Sequence, residues 1–139
     1  MKILFIFFLL LIFTVPCYAA KRLYPEAEYQ NLWCAIKEGE AEYILNDKTR
    51  VDCLTKDLAV EFDFANKWAE CIGQSLYYGQ VTKRQPACVL IMERGEKDLR
   101  YLRRLRKAAY KKGIRTFTIT PEHLINKTLR LPQANNKCK

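Results

Sequence analysis

The chain has 139 residues, with 24 Lys or Arg against 15 Asp or Glu and a single His, for a formal net charge of +9. That length fits one domain. One histidine, His123, excludes nucleases built on paired histidines and zinc sites made of several histidines. Proton and metal chemistry must then rest on carboxylates, Lys and Tyr.

Residues 1–20 carry one Lys, an apolar run from Ile3 to Val15, and Pro16-Cys17-Tyr18-Ala19-Ala20. A charged start, an apolar core and small residues at the end predict a secretory signal peptide cleaved after Ala19 or Ala20. An uncleaved anchor is the alternative, for which the run is slightly short. Residues 21–126 are then the domain and 127–139 a loose basic tail. Export places the mature chain in the periplasm or outside the cell, with no stable membrane association after cleavage. Losing Lys2 with the leader leaves 23 basic side chains against 15 acidic, a net of +8. Such a balance suits a polyanion partner: nucleic acid, anionic lipid or an acidic glycan.

In chain order, residues 25–37 read as a helix, with Pro25 near its start, Gly39 just past its end and an apolar stripe of Leu32, Trp33 and Ile36. Residues 42–45 read as a strand and Asn46-Asp47-Lys48 as a turn. RVDCLT (50–55) and LAVEFDF (58–64) alternate polar and apolar residues, the period of half-buried strands. A helix follows from Asn66, with Trp68, Ile72 and Leu76 facing the sheet, and 79–85 read as a polar loop. PACVLIM (86–92) is nearly continuous in apolar character, as in a strand covered on both faces. Residues 96–112 read as a long helix ended by Gly113, 114–120 as a last strand and 121–126 as a short helix. The order α-β-β-β-α-β-α-β defines an α/β fold with a mixed sheet flanked by helices. Five cysteines remain after the leader: Cys34, Cys53, Cys71, Cys88 and Cys138. Buried free thiols are the expectation for those inside elements, with one or two disulfides open in an oxidising compartment. An odd count leaves one thiol free unless two chains join through it. The absence of a C-x-x-C pair argues against a zinc ribbon or a thioredoxin-like motif.

The chemistry concentrates in residues 50–78. If Lys56-Asp57 is a two-residue hairpin turn, Thr55 faces Leu58, Asp52 lies opposite Glu61 and Arg50 opposite Asp63. All four charged side chains then share one face, with Val51, Cys53, Val60, Phe62 and Phe64 on the other. Opposed Cβ atoms are about 4.5–5.5 Å apart, so two carboxylates there repel each other unless a cation lies between them. A divalent ion with oxygen ligands is the simplest such cation. On the next helix Lys67, Glu70, Gln74 and Tyr78 fall at i, i+3, i+7 and i+11, one polar stripe beside the acid pair. On residues 96–112, Leu99, Leu102, Leu105 and Ala109 pack inward, while Arg100, Arg103, Arg104, Lys107 and Lys111 form a basic strip suited to phosphate contact. Membrane-surface binding is a further use of such a strip. His123 reads as structural or exposed.

An acidic residue, a short hairpin, E-x-D and then a helix with Q-x-x-x-Y resembles the PD-(D/E)XK nuclease superfamily over roughly residues 24–120. The resemblance implies a restriction-endonuclease-like core with Asp52 and Glu61 as the motif acids. It implies Glu26 as the helical glutamate that many members add to the metal site, with Glu28 as the fallback, and Gln74 and Tyr78 as the Q-x-x-x-Y pair. The implied activity is hydrolysis of a phosphodiester, DNA before RNA, with Mg²⁺ (or Mn²⁺) held by Asp52, Glu61, Glu26 and the carbonyl of Phe62. The motif lysine is expected two residues after Glu61, where this chain has Asp63. Lys67, one turn into the helix, is the candidate to reach the same place. Asp63 and Glu70 would support the metal ligands, and Arg50, Arg100, Arg103, Arg104 and Lys107 would meet the nucleic acid. Two other classes stay open: a catalytically inactive nuclease fold binding nucleic acid or a protein, and an exported basic toxin or effector with a different target.

Overall fold

The computed structural model describes residues 21–127. The expected signal peptide (1–20), most of the expected basic tail and Cys138 lie outside the described residues. The elements are α1 (Glu26–Ile36), β1 (Glu40–Ile44), β2 (Arg50–Leu54), β3 (Leu58–Phe64), a 3-10 turn over Ala65–Lys67, α2 (Trp68–Thr82), β4 (Gln85–Ile91), α3 (Glu96–Ala109), β5 (Arg115–Ile119) and α4 (Pro121–Asn126). Their order is the one that apolar periodicity predicts.

The five strands lie in the sheet in chain order, β1-β2-β3-β4-β5. β1 to β3 form an antiparallel meander, joined by short connections over 45–49 and 55–57. β3, β4 and β5 run parallel, each step bridged by a helix. β4 is an interior strand, between β3 and β5, and its apolar run is buried between two helical layers. On one face Tyr29, Trp33 and Cys34 of α1 pack on Cys53, Val60, Phe62, Val89 and Phe117, with Leu124 of α4 beside them. On the other face Cys71 of α2 and Leu102, Leu105 and Ala109 of α3 cover Cys88, Leu90 and Ile114.

Several boundaries differ from the sequence reading, each for a packing reason. The buried stripe of α1 is Tyr29 and Trp33, whereas Ile36 is exposed. α2 runs through Gly79 to Thr82, so the expected polar loop is helical. Gly79 does not stop the helix; a Cβ there would meet Pro86 at 3.0 Å, and glycine lets α2 lie close on β4. The left-handed Lys83 (φ 57°) ends the helix instead. Leu76 of α2 and Leu99 of α3 are exposed rather than inward. The cysteine expectation is also corrected. Cys34–Cys53 and Cys71–Cys88 are disulfides within the core, with Cα separations of 5.7 and 5.8 Å, the first joining α1 to β2 and the second α2 to β4.

Candidate active site

The β2–β3 pairing agrees with a Lys56-Asp57 turn: Cys53 faces Val60, Leu54 faces Ala59, and the Thr55 amide donates to the Leu58 carbonyl. The pairing stops there, one step before Asp52 and Glu61. Instead of continuing the ladder, the Asp52 carboxylate accepts the Phe62 amide at 2.8 Å. Two expectations fall with this. Arg50 is not opposite Asp63; it pairs with Ile44 across β1 and forms an ion pair with Glu42 at 2.6 Å. Val51 does not share a face with Cys53; it packs with Leu45, Leu54, Ala59 and Tyr78 under α2. The alternation slips at Asp52, beside Glu42 of β1, which adopts a left-handed φ of 58°.

The slip opens a cleft of about 610 Å³ between the start of α1, the β1–β2 turn, β3 and α2. Glu26, Asp52, Glu61, Asp63, Lys67, Glu70, Gln74 and Tyr78 all line it, as does Arg50. Glu28 is exposed and is not part of the wall, so Glu26 is the glutamate that α1 contributes. The stripe expected on α2 is therefore a wall of the cleft. Arg100, Arg103, Arg104 and Lys107 do not line it. They stand exposed on α3, where Arg94, Arg100 and Arg104 surround the Tyr101 ring, their guanidinium carbons 4.7–5.9 Å from its centroid. His123 caps α4 through Thr120, a structural role.

Inside the cleft Asp52, Glu61 and Asp63 are crowded together and buried. Glu61 is 5 % exposed and its Oε2 is buried without a hydrogen-bond partner among the described residues. Burial, and after it the charges of Asp52 and Asp63, lift the Glu61 carboxyl far above the usual range. Asp52 is raised mainly by burial, against the Phe62 amide bond that favours its charged form. Burial pushes Asp63 up to about 7, although Lys67 opposes the shift. Glu26 is raised by burial against the charges of Lys67 and Arg22. Tyr78 is raised by burial and then by Glu61 and Asp52. Lys67 is held protonated chiefly by its 3.1 Å contact to Glu70, and its Nζ lies 3.8 Å from Asp63. Among the described residues, no three side chains of Asp, Glu, His or Cys form a ready-made metal cage. The donor set is nonetheless all oxygen and anionic, the chemistry of a hard cation, and one buried carboxylate oxygen has no protein partner.

Sequence reasoning missed two residues at the rim of the cleft and two that stand behind Asp52. Gln30 lies one helical turn after Glu26 on the same stripe, a signal that was legible. Glu42 sits where continued β1–β2 register would face Asp52, which requires the hairpin register to be known. Lys48 and Thr49 come to the rim of the cleft with the β1–β2 turn. That turn is tied to α2 by a hydrogen bond from the Tyr77 hydroxyl to Asp47.

No protein-family model matches the chain, and searches of curated proteins and of solved structures find no match either.

Proposed function

We propose that this protein is an exported, metal-dependent phosphodiester hydrolase built on a restriction-endonuclease-like core and acting on nucleic acid, with DNA as the first substrate. The observation that carries the reading is the unpartnered, buried Oε2 of Glu61 in a wall shared with Asp52, Asp63 and Glu26. Five acids against three bases line this cleft, in a chain that is strongly basic as a whole. A polyanion drawn in by the outer charge meets an acidic pocket, and a divalent cation between them reconciles the two.

Asp52 and Glu61 are the ligands we assign to Mg²⁺ or Mn²⁺, with Glu26 and the Phe62 carbonyl completing the set. When bound, such an ion acidifies a water and offsets the charge growing on the phosphate. The Asp52 carboxylate is already oriented by the Phe62 amide. Lys67 presents its ammonium at the cleft wall, where it orients the attacking water or stabilises a phosphoryl oxygen. Asp63 takes the place of the motif lysine in sequence and acts as the anchor that draws Lys67 inward. Gln74 and Tyr78 offer donors to the substrate backbone. The arginines of α3 supply phosphate contacts outside the cleft. The two buried disulfides support an oxidising, extracytoplasmic location.

The test is cleavage of supercoiled plasmid and of short single-stranded DNA and RNA by residues 21–139, in Mg²⁺, Mn²⁺ or EDTA. Metal-dependent cutting that drops at least about 100-fold in Glu61→Gln is the expected result. Loss in Lys67→Ala with restoration in Lys67→Arg assigns the lysine. One feature favours a second reading, a nucleic-acid-binding protein without catalysis: Asp63 stands where the superfamily motif has lysine. Salt-sensitive DNA binding with no cutting and no bound metal would select it.

A further inference from the structure

Two hydrogen bonds of Gln30 stand apart from the site residues already assigned. Gln30 is 3 % exposed, and its Nε2 donates to the Asp52 carbonyl at 2.5 Å and to Glu42 Oε1 at 2.6 Å. Both partners can only accept, so the amide nitrogen must face them and both of its protons are used. The β1–β2 pairs run Glu40 to Leu54 and Ala41 to Cys53, then Tyr43 to Val51 and Ile44 to Arg50. The step between, Glu42 to Asp52, has no pair, and Glu42 is left-handed there. A carbonyl that β1 would otherwise satisfy is satisfied by a side chain from α1. On the other edge of β2, the pairing with β3 has also ended, and the Asp52 carboxylate takes the Phe62 amide.

We infer that Gln30 is a positioning residue: it holds open the break in β2 that turns the Asp52 carboxylate onto the Phe62 amide and toward the cleft. Without that donor, the Asp52 carbonyl recovers a partner by closing the ladder onto β1. Closing the ladder restores regular alternation and draws Asp52 off the Phe62 amide. Glu42 shares the task, steadied by Arg50 at the rim. The chemical consequence rests on the metal-site reading above; the structural claim does not.

Gln30→Met keeps the length of the side chain and removes both donors. Three measurements on residues 21–139 decide the matter: amide hydrogen exchange at Phe62, Mn²⁺ affinity by calorimetry, and DNA binding in EDTA. The expected result is loss of protection at Phe62 with Val89 still protected. Mn²⁺ affinity falls about tenfold, the scale for losing a residue that orients a metal ligand, and metal-free DNA binding is unchanged. Asp52→Asn combined with Gln30→Met weakens Mn²⁺ no further than Asp52→Asn alone, because one residue acts through the other. Glu42→Ala, at an exposed position, should give the same changes in smaller size and serves if Gln30→Met does not fold. Protection at Phe62 unchanged in both variants overturns the inference, as does a Mn²⁺ loss that adds fully to that of Asp52→Asn. If the wild-type chain binds no Mn²⁺, the metal reading fails and Phe62 exchange alone decides the positioning claim.

Discussion

Metal-free protein should lose stability as the pH rises from 5 to 7, the reverse of ordinary acid denaturation. The cause is the raised carboxyls of the cleft. Asp63 has its folded pKa pushed up to about 7, against roughly 3.9 in an unfolded chain. A group raised in this way keeps its proton in the folded state while the unfolded state has lost it. Its contribution is fully present below pH 4 and disappears as the pH passes through 7. Each pH unit in that window costs about 1.4 kcal/mol per group. Two units at Asp63, halved for the water that reaches an open cleft, leave about 1–2 kcal/mol. For a domain of this size that is on the order of 10 °C in Tm. Asp52 and Glu61 are raised in the same direction and add to it. The assay is thermal unfolding in EDTA from pH 4.5 to 8, repeated with Asp63→Asn and with 5 mM Mn²⁺. The variant should flatten the slope. Mn²⁺ should raise Tm more at pH 8 than at pH 5, since binding must displace protons. A Tm that is flat or rises with pH in EDTA refutes the account of buried, mutually repelling acids.

Reducing the disulfides should loosen the elements that carry the site. The loops closed by Cys34–Cys53 and Cys71–Cys88 span 19 and 17 residues, so each bond stabilises by roughly 3 kcal/mol; urea unfolding with and without reductant measures this. Arg100→Ala and Arg104→Ala should weaken DNA binding equally across sequences and lower its salt slope by about one unit each. Unchanged slopes would remove α3 from the nucleic-acid surface. Tyr77→Phe breaks the bond from α2 to the β1–β2 turn, which should speed amide exchange at Lys48 and Thr49 without changing exchange in β4.

The element order and the acid pair with its polar stripe were legible because each rests on local periodicity. PACVLIM is apolar on both faces, and β4 is covered on both. Lys67, Glu70, Gln74 and Tyr78 share a helical stripe, and all four line one cleft. A short turn sets the Thr55–Leu58 register, so the antiparallel pair was legible as far as Cys53 and Val60. Glu26 came from resemblance, and the cleft receives it because α1 crosses the face beside Asp52.

What only the tertiary structure decided begins where periodicity fails. Nothing local in RVDCLT announces that alternation slips at Asp52; the slip lies against Glu42 on the neighbouring strand and Gln30 from another layer. Arg50 turns to Glu42 rather than Asp63 for that reason. Cysteine pairing was equally hidden, because Cys34 and Cys53 meet only once α1 lies on β2, and Cys71 and Cys88 once α2 lies on β4. The same holds for the charge state of the site. Three carboxylates a few residues apart in sequence are ordinary acids in an extended chain. Their carboxyls are pushed above the ordinary range only when the α2 wall and the sheet bury them side by side.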